Sequence, residues 1–294
     1  MQLKEIVFSD VHDFDPVHTF ECGQCFRWNK VEKQKECEEL RKYEKGIKIE
    51  EPEEYIGVVN GYFAIISFDP NNRLLRIRCS GGDKDFWFHY LDLETDYSNI
   101  KDTIISCDSR IAKAVSYGYG IRILNQNMFE TLISFIISQN NNIPRIKKCI
   151  EALCKKYGKK IGEYNGDIYF SFPTPEELSI ATEQELSDMK FGYRSKYIIE
   201  SVEQFIKRGN PKSYEEVLSY TGVGPKVANC MMLFGVHKTD SFPIDTWVKH
   251  IMNDMYGFDE KNIKGMQEFA KKNYGKYAGY AQQYLFYFYR DNGK

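Results

Sequence analysis

The chain has 294 residues, 42% hydrophobic and 28% charged, with a formal net charge of −2 at pH 7. That length allows a substantial core in one or two domains, and the composition is ordinary for a globular protein. No apolar run reaches the roughly 18 residues of a membrane-spanning helix, and near-neutrality excludes an overall basic field that would announce a polyanionic partner.

In chain order, the opening MQLKEIVFSD lacks the apolar run of a signal peptide, so an intracellular protein is expected: in the cytoplasm or nucleoid of a bacterium, or in a nucleus. Eight cysteines without a secretion signal read as reduced thiols. Cys22 and Cys25 form a single C-x-x-C with no second pair at zinc-finger spacing, and no cysteine follows Cys230, which excludes a C-terminal iron–sulfur cluster. Glu32 to Glu54 holds nine acidic against six basic residues, a net of −3 that leaves the rest of the chain at +1. A local basic face therefore stays open. Within this stretch Gly46 to Glu50 (GIKIE) is a short strand candidate.

Tyr55–Val59 and Tyr62–Phe68 are strand-like runs joined by Asn60-Gly61, a strong hairpin signal. Leu74–Cys79 alternates apolar and basic residues, as a half-exposed strand does. From about Ser98 helical periods take over. Gln126–Ser138 is apolar nearly all round and is expected to be central and buried. Ile143–Tyr157, Thr174–Met189, Arg194–Arg208, Tyr214–Tyr220, Pro225–Phe234, Thr246–Tyr256, Glu268–Tyr274 and Tyr277–Tyr289 read as further helices. The expected architecture is α+β: an antiparallel β-sheet domain over 1–105, followed by a helical domain over 106–294. Of the 21 Tyr, 20 Phe and 3 Trp, most must be core, leaving a minority to stack on bases or wedge into a duplex.

The most informative segment is Tyr220-Thr221-Gly222-Val223-Gly224-Pro225-Lys226. A helix ends, a G-V-G turn follows, and Pro opens the next helix at its first position. Gly222, Val223 and Gly224 form either a tight helix–helix turn or a hairpin that offers amides and a helix N-terminus to a phosphate. Lys226 lies in the first turn of that helix, where a cation is disfavoured. A nucleophile needs the free amine, although an ordinary surface lysine fits too. Nineteen residues on (245 − 226 = 19), Pro243 forces an extended approach and Asp245 becomes a natural N-cap for the helix carrying Trp247. Capping alone accounts for Asp245 if it stands by itself; hairpin, lysine and aspartate together suggest chemistry.

Five blocks in order, TFECGQCFRW, SFIISQNNNIPR, KFGYRSKY, YTGVGPKVANC with PIDTW, and YAGYAQQYLF, resemble the helix-hairpin-helix DNA glycosylases, and among them the 8-oxoguanine DNA glycosylase/AP lyases. The resemblance runs from about His18 to Tyr289 and thins between residues 30 and 105. It implies that Lys226 attacks the sugar C1′ and expels the base as a Schiff base forms. Asp245 would stabilise the cationic sugar and assist proton movement. In the base pocket, the Gly23 carbonyl would receive N7–H of 8-oxoguanine, Phe286 would stack on the extruded base, Gln282 would read its Watson–Crick edge, and Cys230 would line the other side. On the opposite strand, Asn140 would fill the vacated space, Tyr193 would wedge, and Arg145 and Arg194 would donate to the orphan cytosine. Asn140 to Asn142 as helix caps and Phe286 as core remain open alternatives.

The implied partner is double-stranded DNA containing 8-oxoguanine, with a monomeric enzyme, no cofactor and no membrane. A metal ion bridging hairpin carbonyls to a phosphate would fit the resemblance, but no side-chain ligand cluster marks one. Two features depart from the family. Trp247 stands where members often have histidine, and the acidic stretch has no counterpart and reads as a solvated loop. The lysine, and the missing four-cysteine cluster, separate this chain from adenine-specific, alkyl-base and endonuclease III-like relatives. A non-catalytic helix-hairpin-helix DNA-binding module would need neither Lys226 nor Asp245.

Overall fold

The computed structural model describes residues 1–32 and 52–293, so GIKIE and most of the acidic stretch lie outside the described residues. Five strands, β1 (Lys4–Phe8), β2 (Asn29–Lys30), β3 (Glu54–Val59), β4 (Tyr62–Asp69) and β5 (Leu74–Cys79), form one sheet in the order β1-β5-β4-β3-β2. Every neighbouring pair is antiparallel. Asn60 and Gly61 turn β3 into β4 with φ of 48° and 80°. Positive φ at both central positions is what a two-residue hairpin turn requires, and Asn-Gly adopts it at the least steric cost.

Strand β4 is buried on both faces, because each face of the sheet has a cover. On one face Tyr55, Ile66, Leu75 and Ile77 pack with Phe20, Trp28 and Trp87. On the other, Val58, Phe63 and Ile65 meet Tyr164 and Tyr169. Those two tyrosines belong to a second hairpin, β6 (Lys160–Tyr164) and β7 (Asp167–Phe170), set among the helices. Their rings lie 5.3 and 4.6 Å from that of Phe63. The turn is again Asn-Gly, Asn165 and Gly166, at φ of 51° and 84°. The helical part thus reaches back and closes the outer face of the sheet.

The helical part is built around Met128–Ser138, capped by Asn127 Oδ1, which accepts from Glu130 N at 3.0 Å. Nine of its eleven residues are buried, against helices Ile143–Tyr157, Arg194–Arg208 and Pro225–Phe234. Each fully buried large aliphatic side chain there contributes about 1.5–3 kcal/mol. Cys22, Phe26 and helix Tyr97–Cys107 join this core from the N-terminal side. The expected single helix over Thr174–Met189 is instead two, Pro175–Leu178 and Glu183–Asp188. Thr182 and Glu185 make a capping box that starts the second helix afresh, leaving Ile180 in solvent between them.

Glu130 sits on the central helix near Arg27, whose Nε donates to Glu151 at 3.2 Å. Burial pushes the Glu130 carboxyl up to about 7; Arg27 opposes this and Glu151 adds to it. The folded chain therefore holds a proton between the ordinary value of 4.5 and about 7 that the unfolded chain has released. Stability from this group falls as pH rises through that window and is level above it. Glu130→Gln is expected to remove this slope and stabilise the fold by about 1–3 kcal/mol at pH 8. Urea midpoints for both proteins at pH 5 and pH 8 check this, and parallel pH dependence would refute it.

Candidate active site

The hairpin joins helix Tyr214–Leu218 to helix Pro225–Phe234. Gly222 has φ of 77°, and a Cβ there would come within 2.5 Å of the Tyr197 ring. Val223 is buried and anchors the turn, while Gly224 is exposed. Gly224 is the N-cap of the second helix and offers no side chain to its amides. The helix therefore starts with uncapped N–H groups facing outward, the arrangement that receives a phosphate. The carbonyls behind the turn are engaged instead. Tyr220 O accepts from Val223 N at 3.1 Å, Thr221 O from Ser201 Oγ at 3.0 Å, and Gly222 O from Gln139 Nε2 at 2.9 Å. Each of these carbonyls accepts one hydrogen bond and keeps a second lone pair, and among the described residues no group of three or more His, Cys, Asp or Glu could hold a metal ion.

One step past the hairpin, Lys226 enters a cavity of about 60 Å³ whose walls come from segments far apart in sequence. Gly23, Lys226, Cys230, Asp245, Gln282 and Phe286 all line it. Lys226 Nζ lies 5.1 Å from the centre of the Phe135 ring. Cys230, one helical turn on, is buried, and burial raises its thiol pKa, with Lys226 lowering and Asp245 raising it. The thiol is thus a neutral apolar wall and feels both charged neighbours. Asp245 caps its helix, Oδ1 accepting from Val248 N at 2.8 Å, and remains half-buried at the cavity edge.

Gly23 faces Phe286 across this space. Its φ of 81° favours glycine, and a Cβ would stand 3.1 Å from Phe286 Cε1. The residue type is therefore fixed by backbone conformation and by the ring it touches. Gln24, which the sequence did not single out, holds that turn. Its Nε2 donates to Thr19 O at 2.8 Å and Arg122 O at 2.7 Å, and its Oε1 accepts from Leu124 N at 2.9 Å. A glutamine between two buried cysteines was the available signal. Beside it, burial pushes the Cys22 thiol up to about 11.

The loop after the central helix divides its three asparagines. Asn141 Nδ2 donates to Ile137 O at 3.1 Å, closing the helix, and Asn142 Oδ1 accepts from Arg145 N at 3.0 Å, opening the next. Asn140 is exposed with φ of 47°, and its side chain makes no hydrogen bond among the described residues. Tyr193 is 51% exposed, its hydroxyl donating to Gln139 O at 3.3 Å. The two arginines differ. Arg145 is exposed, with Nη2 donating to Lys190 O at 3.2 Å. Arg194 is buried, and its donors brace the loop: Nε to Gln139 O at 3.0 Å, Nη2 to Asn140 O at 3.0 Å, Nη1 to Phe191 O at 3.3 Å. Trp247 is 40% exposed beside Asp245, whereas Trp28 and Trp87 are buried.

No helix among the described residues is long and apolar enough to cross a membrane. Residues 6–132 match the family model of the 8-oxoguanine DNA glycosylase N-terminal domain, and residues 133–275 match that of the HhH-GPD superfamily base excision DNA repair proteins. The chain is similar to an N-glycosylase/DNA lyase of Saccharomyces cerevisiae, 34% identical over 92% of this chain and 81% of that protein. It is also similar to a probable N-glycosylase/DNA lyase of Methanothermobacter thermautotrophicus, 31% identical over 69% and 72%. Among solved structures, the Clostridium acetobutylicum 8-oxoguanine glycosylase/lyase, in complex with duplex DNA containing cytosine opposite 8-oxoguanine, superposes with a TM-score of 0.85. That pair is 35% identical and covers 100% of this chain and 99% of the other.

Proposed function

This chain belongs to the N-glycosylase/DNA lyase family within the HhH-GPD superfamily of base excision DNA repair proteins, and from that premise we propose that it excises 8-oxoguanine from duplex DNA and then cuts the strand. One observation carries this: an amine at a helix N-terminus, a carboxylate and a glycine–phenylalanine pair meet in a single cavity. In this reading the neutral Lys226 amine attacks C1′, the bond to the base breaks, and the base leaves with the bonding pair and takes up a proton. Opening of the sugar ring gives a protonated Schiff base. Loss of a C2′ proton then expels the 3′ phosphate, and water frees the lysine. Asp245 stabilises positive charge on the sugar and relays protons.

The Gly23 carbonyl accepts N7–H of 8-oxoguanine. Normal guanine presents an acceptor there, and two acceptors face to face lose a hydrogen bond on each side. Phe286 and Cys230 flank the base while Gln282 reads its Watson–Crick edge. The uncapped amides of the Gly222–Gly224 hairpin take a phosphate. Asn140 fills the space of the extruded nucleotide, whose flipping costs a few kcal/mol, and Tyr193 wedges beside it. The division of the chain at about residue 105 into sheet and helical domains belongs to the same reading.

Borohydride trapping on duplexes containing 8-oxoguanine, formamidopyrimidine, uracil or an alkylated base tests it. A covalent adduct favouring 8-oxoguanine is expected; no adduct on any duplex would point to a binding module without chemistry. Excision opposite cytosine is expected to be at least about tenfold faster than opposite adenine. Arg145 carries this preference most directly, being exposed with few commitments, and Arg145→Ala should erase most of it. Single-turnover rates opposite all four bases measure it, and equal rates would remove the arginines from this role.

A further inference from the structure

Gln283 follows Gln282 on helix Ala278–Asn292, and both line the Lys226 cavity. Neighbours on a helix point about 100° apart, so one of two successive side chains would ordinarily turn away. Here Gln283 Nε2 donates to Gln282 Oε1 at 2.8 Å, which joins the two amides into one polar edge. Both side chains are 3% exposed. Gln283 Oε1 is buried with no hydrogen-bond partner among the described residues, the one such side-chain atom on a residue lining this cavity. A buried acceptor left unpaired carries its full desolvation cost, so beside a ligand cavity it marks a place for a donor that arrives with the ligand.

We infer that Gln283 determines specificity for the extruded base, its Oε1 accepting from the exocyclic 2-amino group of a guanine-type purine. This rests on the 8-oxoguanine reading. Gln282 Oε1 keeps one lone pair after accepting from Gln283, and Gln283 Oε1 keeps both. Two neighbouring acceptors match the two neighbouring donors of a 2-amino-6-oxopurine, N1–H and the 2-amino group. Hypoxanthine-type bases keep N1–H but lack the amino group, and adenine-type bases present an acceptor at N1. The amide pair therefore selects a chemical class of base, while the Gly23 carbonyl responds to its oxidation at C8.

The test compares single-turnover release of 8-oxoguanine and 8-oxohypoxanthine, each opposite cytosine, by wild type and Gln283→Met. Rates are normalised to borohydride trapping at a preformed abasic site, which has no base to recognise. Wild type is expected to favour 8-oxoguanine by about tenfold or more, and Gln283→Met to bring the ratio to about twofold by slowing 8-oxoguanine alone. If Gln283→Met does not fold, Gln283→Ala is read in the same way. An unchanged ratio, an equal loss on both substrates, or no preference in wild type overturns the proposal. Trapping at the abasic site without release of 8-oxoguanine by wild type would sink the 8-oxoguanine reading itself, and this inference with it.

Discussion

Lys226→Gln is expected to abolish base release and borohydride trapping, a loss on the order of 10³-fold or more, while leaving binding to lesion-containing duplexes largely intact. Glutamine keeps polarity and most of the reach of lysine, but an amide nitrogen has no available lone pair for attack on C1′. The lysine side chain is half-buried beside Phe135 and close to Cys230, so the replacement meets a cavity rather than a packed interior. On the proposed reading binding rests on the hairpin amides, which the change does not touch, so affinity should fall only by what one positive charge contributes. Gel trapping reads the first outcome and fluorescence anisotropy with labelled duplex the second. Cleavage at the wild-type rate would return Lys226 to the status of a surface lysine.

Asp245→Asn separates the cap from the proposed catalytic role of the same side chain. The carboxylate caps its helix, Oδ1 accepting from Val248 N at 2.8 Å, and lines the cavity with Lys226. Asparagine caps about as well as aspartate, whereas alanine costs about 1 kcal/mol. Asp245→Asn should therefore keep the melting temperature and still lose about 10²–10⁴-fold in excision, because a neutral amide neither stabilises a cationic sugar nor accepts its proton. Asp245→Ala should lose both. Thermal melts run beside single-turnover rates distinguish the cases, and a fully active Asp245→Asn would reduce the residue to a cap.

Strands β3 to β5 and the central helix were legible because local and tertiary signals agree there, whereas β1 and the two-residue β2 carried no such signal. Asn60-Gly61 carries its own turn geometry, and the all-round apolar face of Met128–Ser138 admits only a buried position. The same dipeptide at Asn165-Gly166 marked the second hairpin. The strands beside it are short and carry charge, since only Ile161, Tyr164 and Tyr169 of the hairpin pack on the sheet, and so they lack the alternation that announces a strand. The break inside Thr174–Met189 was written in Thr182 and Glu185, but the helical propensity of the flanking residues outweighed it. Gly23 was legible by resemblance alone: its positive φ and its contact with Phe286 involve residues 263 positions apart (286 − 23 = 263), which no local pattern reveals. The commitment of Arg194 to the Asn140 loop was not legible, since the resemblance gave its donors to the orphan cytosine.

Gln139 donates to Gly222 O and accepts, on its own carbonyl, from Arg194 and Tyr193. The hairpin turn and the loop bearing Asn140 are therefore clamped to one another within the folded chain. Their spacing behaves as a ruler built in during folding: the ordering entropy is lost then, not at encounter. On the proposed reading, a duplex that seats its backbone on the hairpin would meet Asn140 at a preset height, so grip and intrusion would come as one rigid event.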